Sequence, residues 1–293
     1  VYHLIELASA TAHPYQSMLH PKHHALLRQL NGRSVWAFGA VSDNQPVGLV
    51  AGYCKSERQR GEIVSLVVAE GYQKRGIGRA LLRQAEEKIR QQNGLTTDCF
   101  SIIKAEDFGW LDSFFREEQW EPLRTNIEMY TLGLREGQLT ELPWLEKLPL
   151  PTGFSTFSWG ELSAHERQQV EQGCSRWYQP ILSPFIDEHK IDLHYSLGLR
   201  YEGQVVGWMI VQQLASNMLL YKTLFVQKPF QQKARGIALL AEVIRRAHQT
   251  FPYGMCFVEQ DNEPMLRFLN RRLGLQILYK KLSVLTSKRL TKS

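Results

Sequence analysis

From Ile63 to Val68 every residue but Ser65 is apolar, and beyond it apolar residues recur at Ile77, Leu81, Leu82, Ala85 and Ile89. The first pattern is short and rich in β-branched residues and predicts a strand; the second, at three- and four-residue spacing, predicts an amphipathic helix over 77–90. Arg75, Arg79, Arg83, Lys88 and Arg90 take much of the opposite face. Upstream, alternation over 2–7 predicts a strand, followed by two short helices over 15–19 and 23–30 that Asn31-Gly32 closes. Strands over 34–42 and 46–54 follow, joined by Asp43-Asn44-Gln45 as a hairpin, with Gly39 and Gly48 marking bulges or close backbone approach. Downstream come a strand over 97–103, a helix over 108–118 and a last strand over 126–134.

Residues 133–152 break this pattern. Gly133, Gly137, Pro143, Pro149 and Pro151 read as a linker, and after it the programme restarts. A strand over 154–158, a helix over 161–174, strands over 195–201, 204–213 and 219–226, and a helix after Gly236 repeat the first half in order. Gly48 and Gly207 lie 159 residues apart, and Gly76 and Gly236 lie 160 apart, which argues for an internal repeat. The expected organisation is a first domain over 1–135, a linker over 136–152 and a second domain over 153–293, each long enough to bury its own core.

Between the strand and helix of the first half stands Gly71-Tyr72-Gln73-Lys74-Arg75-Gly76-Ile77-Gly78-Arg79. Glycines at a helix start let backbone N–H groups approach an anion, and the peptide dipoles favour negative charge there, so the stretch predicts a polyphosphate cradle. It is not a nucleotide P-loop, because Arg79 and Ala80 stand where Lys and Ser or Thr are needed, leaving no hydroxyl for magnesium. Nor is it a dinucleotide fingerprint, since Leu81 replaces the third glycine and the strand follows a hairpin rather than opening a βαβ unit.

Gln73-Lys74-Arg75-Gly76-Ile77-Gly78 resembles the Gln/Arg-x-x-Gly-x-Gly/Ala signature of the GCN5-related N-acetyltransferase superfamily. The resemblance extends to the element order of both halves. It implies a fold class of α/β (α+β) type: two tandem acetyltransferase folds, each a mixed, mostly antiparallel sheet flanked by helices. It also implies acetyl-coenzyme A as cofactor, with the pyrophosphate on Gln73, Lys74, Arg75, Gly76, Ile77, Gly78 and Arg79, and the thioester and pantetheine on the backbone of Leu66, Val67 and Val68. In the family a carboxylate earlier on that strand often relieves the acceptor amine of its proton; Glu62 sits there as the candidate catalytic base, or else as a solvated strand end. The usual tyrosine of the later helix is Phe115 in the first half and Asn270 in the second, so neither half supplies that phenol as general acid.

The second loop, Lys233-Ala234-Arg235-Gly236-Ile237-Ala238, departs from the signature. Lys233 takes the Gln or Arg position, and Val226 lies ten residues before Gly236 where Val68 lies eight before Gly76, which predicts a distorted cradle. The counterpart of Glu62 is Leu220. Asn262 reads either as a residue near the cofactor arm or as a helix N-cap. On these grounds the first domain is expected to be catalytic and the second degenerate.

Composition narrows the picture. A net charge of +6 suits anionic small molecules but forms no dense basic block of the kind that tracks nucleic acid. Four separated cysteines and the group His13, His20, His23 and His24, interrupted by Pro14 and Pro21, predict no metal site and no disulfide framework. No apolar run approaches the roughly 20 residues that span a bilayer, and no signal-peptide pattern opens the chain. Composition thus predicts a cytoplasmic chain without nucleic-acid or membrane partners, and the resemblance implies an N-acetyltransferase acting on a small-molecule or peptide amine. The rival reading is a non-catalytic tandem module that binds acyl-coenzyme A or a partner protein. Acceptor and oligomeric state stay open.

Overall fold

A computed structural model describes residues 1–134, 142–145, 148, 150–231 and 234–290. Its strands are β1 His3–Glu6, β2 Val35–Ser42, β3 Gln45–Lys55, β4 Arg60–Val68, β5 Thr96–Lys104 and β6 Arg124–Gly133, then β7 Phe154–Ser158, β8 Leu197–Tyr201, β9 Gln204–Ala215, β10 Met218–Val226, β11 Tyr253–Glu259 and β12 Ile277–Arg289. Its helices are α1 His24–Arg28, α2 Ile77–Gln91, α3 Phe108–Glu117, α4 Ala164–Gln172, α5 Arg235–Ala247 and α6 Glu263–Arg272. Two short helices were expected near the N-terminus; most of that stretch forms 3-10 turns, His13–Met18 and Pro21–His23, because Pro14 and Pro21 can start a turn but not continue an α-helix. The strand β12 has no counterpart among the sequence-based expectations.

The chain divides into two compact units, residues 1–126 with 281–293 and residues 127–280. This is not a break after residue 135. In the first unit the strand order is β1-β2-β3-β4-β5-β12, antiparallel except for β4 with β5. In the second it is β6-β11-β10-β9-β8-β7, antiparallel except for β10 with β11. Each unit is thus a mixed, mostly antiparallel sheet flanked by helices, and the second repeats the first. The last strand of each, however, comes from the other half of the sequence. Lys281–Arg289 of β12 pair with β5, and Ile127–Gly133 of β6 pair with β11.

The cores explain why the exchange holds. On one face of the first sheet, Ile77, Leu81, Leu82, Ala85 and Ile89 of α2 pack with Phe115 and with Leu282, Val284 and Leu290 from the C-terminal strand region. On the other face, Leu26 and Leu27 pack with Tyr15, Leu49 and Ala51. Tyr15 lies so close over Gly39 that a Cβ there would meet its ring at 2.3 Å, so Gly39 marks close approach while the irregular register falls at the next step, Ala40 to Val41. In the second unit, Tyr130 and Leu132 of β6 join Leu239, Val243 and Leu269. Of the segment expected as a linker, residues 135–141, 146–147 and 149 lie outside the described residues, but Leu142 and Leu145 are buried in this same core.

Buried polar contacts fasten each exchanged strand. Lys288 of β12 donates to both carboxylate oxygens of Glu86 at 2.8 and 2.9 Å and to the carbonyl of Glu118 at 2.6 Å, while Trp120 Nε1 donates to Glu86 at 2.8 Å. In the second unit, Lys280 lies 2.6 Å from Glu128, which also accepts from the Tyr130 hydroxyl. Burial and the Glu128 charge together hold the Tyr130 phenol well above its ordinary range.

Two outcomes follow for stability. Residues 1–135 alone lack the ladder partner of β5 and three apolar side chains of its core, so they are expected to show no cooperative thermal unfolding; a cooperative transition from that fragment would refute the exchange. Replacing Glu86 by Ala leaves the Lys288 ammonium without its counterion and the Trp120 indole N–H without its acceptor, and should cost about 3–5 kcal/mol in denaturant unfolding of the full chain.

Candidate functional site

The site begins with a ladder that stops early. β4 pairs with β5 only over Arg60–Ile63 against Thr96–Cys99, although β4 continues to Val68 and β5 to Lys104. Ser65 faces Ala51 and Ile63 faces Gly52, so Val64 is an extra residue, a β-bulge directly after the last parallel pair. A bulge bends its strand and raises the local twist, which turns β4 away from β5. From Val64 to Val68, β4 therefore has a strand partner, β3, on one side.

The open side presents backbone donors. Ala69 N–H donates to the carbonyl of Val47 at 2.9 Å. The two-residue alternation of an antiparallel ladder gives Val67 and Ser65 the same direction, so the N–H groups of Leu66 and Val68 point to the open edge. Leu66 and Val68 pack their side chains against the α2 core, and Val67 is exposed on the opposite face.

The loop after β4 ends at an uncapped helix. Gly76 is the N-cap of α2 at φ +81°, with no side-chain cap. The first helical bond is Ala80 N–H to the Gly76 carbonyl at 3.0 Å, which leaves the N–H groups of Ile77, Gly78 and Arg79 ahead of the helical ladder. By contrast, Ser163 caps α4 through a full capping box and Asn262 caps α6. A Cβ at Gly78 would meet nothing nearer than Val68 Cγ2 at 3.6 Å, so protein packing does not require glycine there. A ligand lying on the helix start would.

The polar side chains divide by role. Gln73 Nε2 donates to the Val68 carbonyl at 3.1 Å and ties the loop to the strand end. Lys74 and Arg75 are exposed and form no ion pair among the described residues, with Arg75 over the Tyr72 ring at 5.2 Å. The guanidinium of Arg79 is held by Glu117 and Glu118 at 2.5 and 2.6 Å, so at this position only the backbone N–H belongs to the helix start. Free donors, two unpaired cations and an open strand edge fit a diphosphate group with a slender hydrogen-bonding arm.

Glu62 lies on β4 two residues before the bulge, with Lys55 Nζ at 2.6 Å. His23 sits in its field: burial, Lys22 and His20 push the His23 imidazole down, and Glu62 opposes them. The sequence predicts no metal site at these histidines, and no local pattern singles out His23. Its neighbour His24 is structural, bonded to Gln16 at 3.0 Å and to the Leu19 carbonyl at 2.9 Å. Phe115 is buried in the core and has no proton to give. Asn262 accepts from Met265 N–H at 3.3 Å, which is the N-cap reading of that residue.

The second unit repeats this geometry more closely than its sequence suggests. β10 pairs with β11 over Met218–Leu220 and stops, and Lys222 is the extra residue of a bulge. Gln231 Nε2 donates to the Val226 carbonyl at 2.9 Å, Ala234 is the N-cap of α5 at φ +58°, and a Cβ at Gly236 would meet Val226 Cγ2 at 3.6 Å. Gln231, Ala234 and Gly236 thus stand where Gln73, Gly76 and Gly78 stand. The expected two-residue extension before the second loop is absent: ten residues separate strand end from inner glycine in both units, so Gly236 corresponds to Gly78 and not to Gly76. Lys233 lies outside the described residues. What differs is chemistry. Leu220 replaces Glu62, Ala234 replaces Gly76, and the Arg235 side chain bonds the Phe230 carbonyl at 3.0 Å and covers the Phe154 ring at 4.4 Å.

Comparison with known proteins agrees with this doubling. The sequence model of the acetyltransferase (GNAT) family matches residues 4–124 and again 158–275. No curated protein matches the chain. Among solved structures, it is similar to a tandem GNAT protein from the clavulanic acid biosynthesis pathway, at 16% identity over 100% of both chains with a TM-score of 0.59. It is also similar to a GCN5-related N-acetyltransferase from Sphaerobacter thermophilus, at 18% identity over 98% of this chain and 96% of that one, with a TM-score of 0.57.

The two glycines of the first loop separate backbone need from ligand need. Gly76→Ala should cost about 1–2 kcal/mol, because a Cβ is strained at positive φ. Gly78→Ala should leave stability unchanged or raise it by up to about 1 kcal/mol, and Ala234→Gly should relieve about 1 kcal/mol in the second unit. Denaturant unfolding of the three variants checks each sign.

Proposed function

The chain belongs to the acetyltransferase (GNAT) family, and on that footing we propose that it is an acetyl-coenzyme A-dependent N-acetyltransferase with its transfer site in the first unit. The observation that supports this reading most is the open edge of β4 leading directly into an uncapped helix start, with a carboxylate at the beginning of the same strand. The reading gives the pyrophosphate to the N–H groups of Gly76, Ile77, Gly78 and Arg79 and to the side chains of Lys74 and Arg75. Gln73 holds the loop against Val68. The backbone N–H groups of Leu66 and Val68 bind the pantetheine arm and polarise the thioester carbonyl, which sharpens the charge stabilisation needed at a developing oxyanion.

Acetyl-coenzyme A supplies the activated acyl group: a carbon–nitrogen bond to the amine forms, the carbon–sulfur bond breaks, and the thiol is released. Glu62 takes the proton that the attacking ammonium must lose, with Lys55 at 2.6 Å orienting its carboxylate. Solvent returns a proton to the thiolate, since α3 offers Phe115 at the position of the usual phenol. The second unit lacks a carboxylate at Leu220, which supports one transfer site per chain.

Gly78→Asp puts a charge on the helix start and should abolish coenzyme A binding by calorimetry and transfer by thiol release, whereas Gly236→Asp should leave transfer intact. Transfer that survives the first change and disappears with the second would reverse the assignment of units. Glu62→Gln should lower kcat/KM by roughly 10²–10⁴ near neutral pH and by less at high pH, where free amine is abundant. A pH profile parallel to that of the unaltered protein would remove Glu62 as base.

A further inference from the structure

The sheet face that presents Glu62 carries an apolar strip on β4 and β5, and at the end of that strip stand two cations, Lys104 and its ladder partner Lys281. Ile63, Leu66 and Val68 of β4 and Cys99 and Ile103 of β5 turn toward the α2 core. Strand alternation therefore puts Val67, Phe100 and Ile102 on the opposite face, together with Glu62 and Asp98. Val67, Phe100 and Ile102 are 38%, 40% and 50% exposed, and they flank the place where β4 and β5 part. The two carboxylates of this face are each already matched. Glu62 has Lys55 at 2.6 Å, and Asp98 is bonded by Arg60, whose guanidinium it holds above its ordinary range.

We propose that the acceptor is a primary monoamine with an apolar body, lying across Val67, Phe100 and Ile102 with its nitrogen toward Glu62. The inference rests on the transfer reading above and names the substrate class of that site. A polyamine or an aminoglycoside brings several positive charges and gains affinity from unpaired carboxylates; here each carboxylate has its own cation, and the Lys55 ammonium repels a second one. An aryl or alkyl group, by contrast, covers apolar side chains that otherwise face water, and gains in proportion to the area removed. Binding with a single amine also suits Glu62, which has one proton to accept.

Transfer by the full chain would be measured with 2-phenylethylamine, hexylamine, spermidine and kanamycin as acceptors. The expected result is a kcat/KM for 2-phenylethylamine at least about tenfold above that for spermidine, an advantage of the size apolar contacts provide. Phe100→Ser and Ile102→Ser should each raise the KM for 2-phenylethylamine severalfold without changing coenzyme A affinity by calorimetry. Both side chains are exposed, so both variants are expected to fold, and their thermal midpoints check it. Equal or better use of spermidine or kanamycin would overturn the proposal, as would an unchanged KM in both variants. Failure of coenzyme A to bind would sink the transfer reading instead. The acceptor subsite is then judged by saturation-transfer NMR of 2-phenylethylamine with the chain alone: a signal lost in Phe100→Ser upholds it, and no signal refutes it.

Discussion

Each unit depends on one interruption in backbone pairing. The parallel ladder between β4 and β5 ends at Ile63 and Cys99, and the bulge at Val64 follows at once. An unpaired stretch of central strand is costly unless its N–H and C=O groups meet water, a side chain or a ligand. Gln73 answers part of that demand by bonding the Val68 carbonyl, and the N–H groups of Leu66 and Val68 remain available. The same interruption recurs at Leu220 and Lys222 with Gln231 in the role of Gln73. An opening kept twice in one chain, with the same side chain fastening the same carbonyl, is built rather than incidental.

From that opening the chemistry of the two units diverges through single side chains. Glu62 and Leu220 occupy the same ladder position, paired with Asp98 and Met255. One can accept a proton and the other cannot. Gly76 and Ala234 both adopt positive φ at the helix N-cap, where Gly pays no steric penalty and Ala does. The two units share this backbone and differ in the residues set upon it, so they are alike in fold and unlike in side-chain chemistry.

The exchanged strands bind the fate of the two halves together. The core over α2 includes Leu282 and Val284, and the core over α5 includes Tyr130 and Leu132, so each hydrophobic layer is completed by residues more than a hundred positions away. The buried carboxylates of Glu86 and Glu128, paired with Lys288 and Lys280, then favour these strands over any other occupant, because a mismatched strand would leave a carboxylate unpaired out of water. A half without an evident transfer residue can thus be indispensable for stability.

Local chemistry sufficed to read much of this protein from its residues. The β-branched run after Glu62, the helical spacing from Ile77, the hairpin connection at Asp43 and Asn44, and the return of strands and a helix after residue 153 are short-range patterns, and the structure has each of these elements. The glycine loop was legible for the same reason: its backbone demands are written in adjacent residues. Tertiary structure decided what depends on distant partners. Which strand completes each sheet is set by burial and ion pairing across the length of the chain, and nothing local to residues 277–289 announces it. The true register of the second loop, with Gly236 opposite Gly78, emerged from the hydrogen bond of Gln231 and the φ of Ala234 rather than from the spacing of glycines. The apolar strip beside Glu62, with its carboxylates already paired, likewise exists only once Lys55, Arg60, Asp98 and Phe100 are brought to the same side of one sheet.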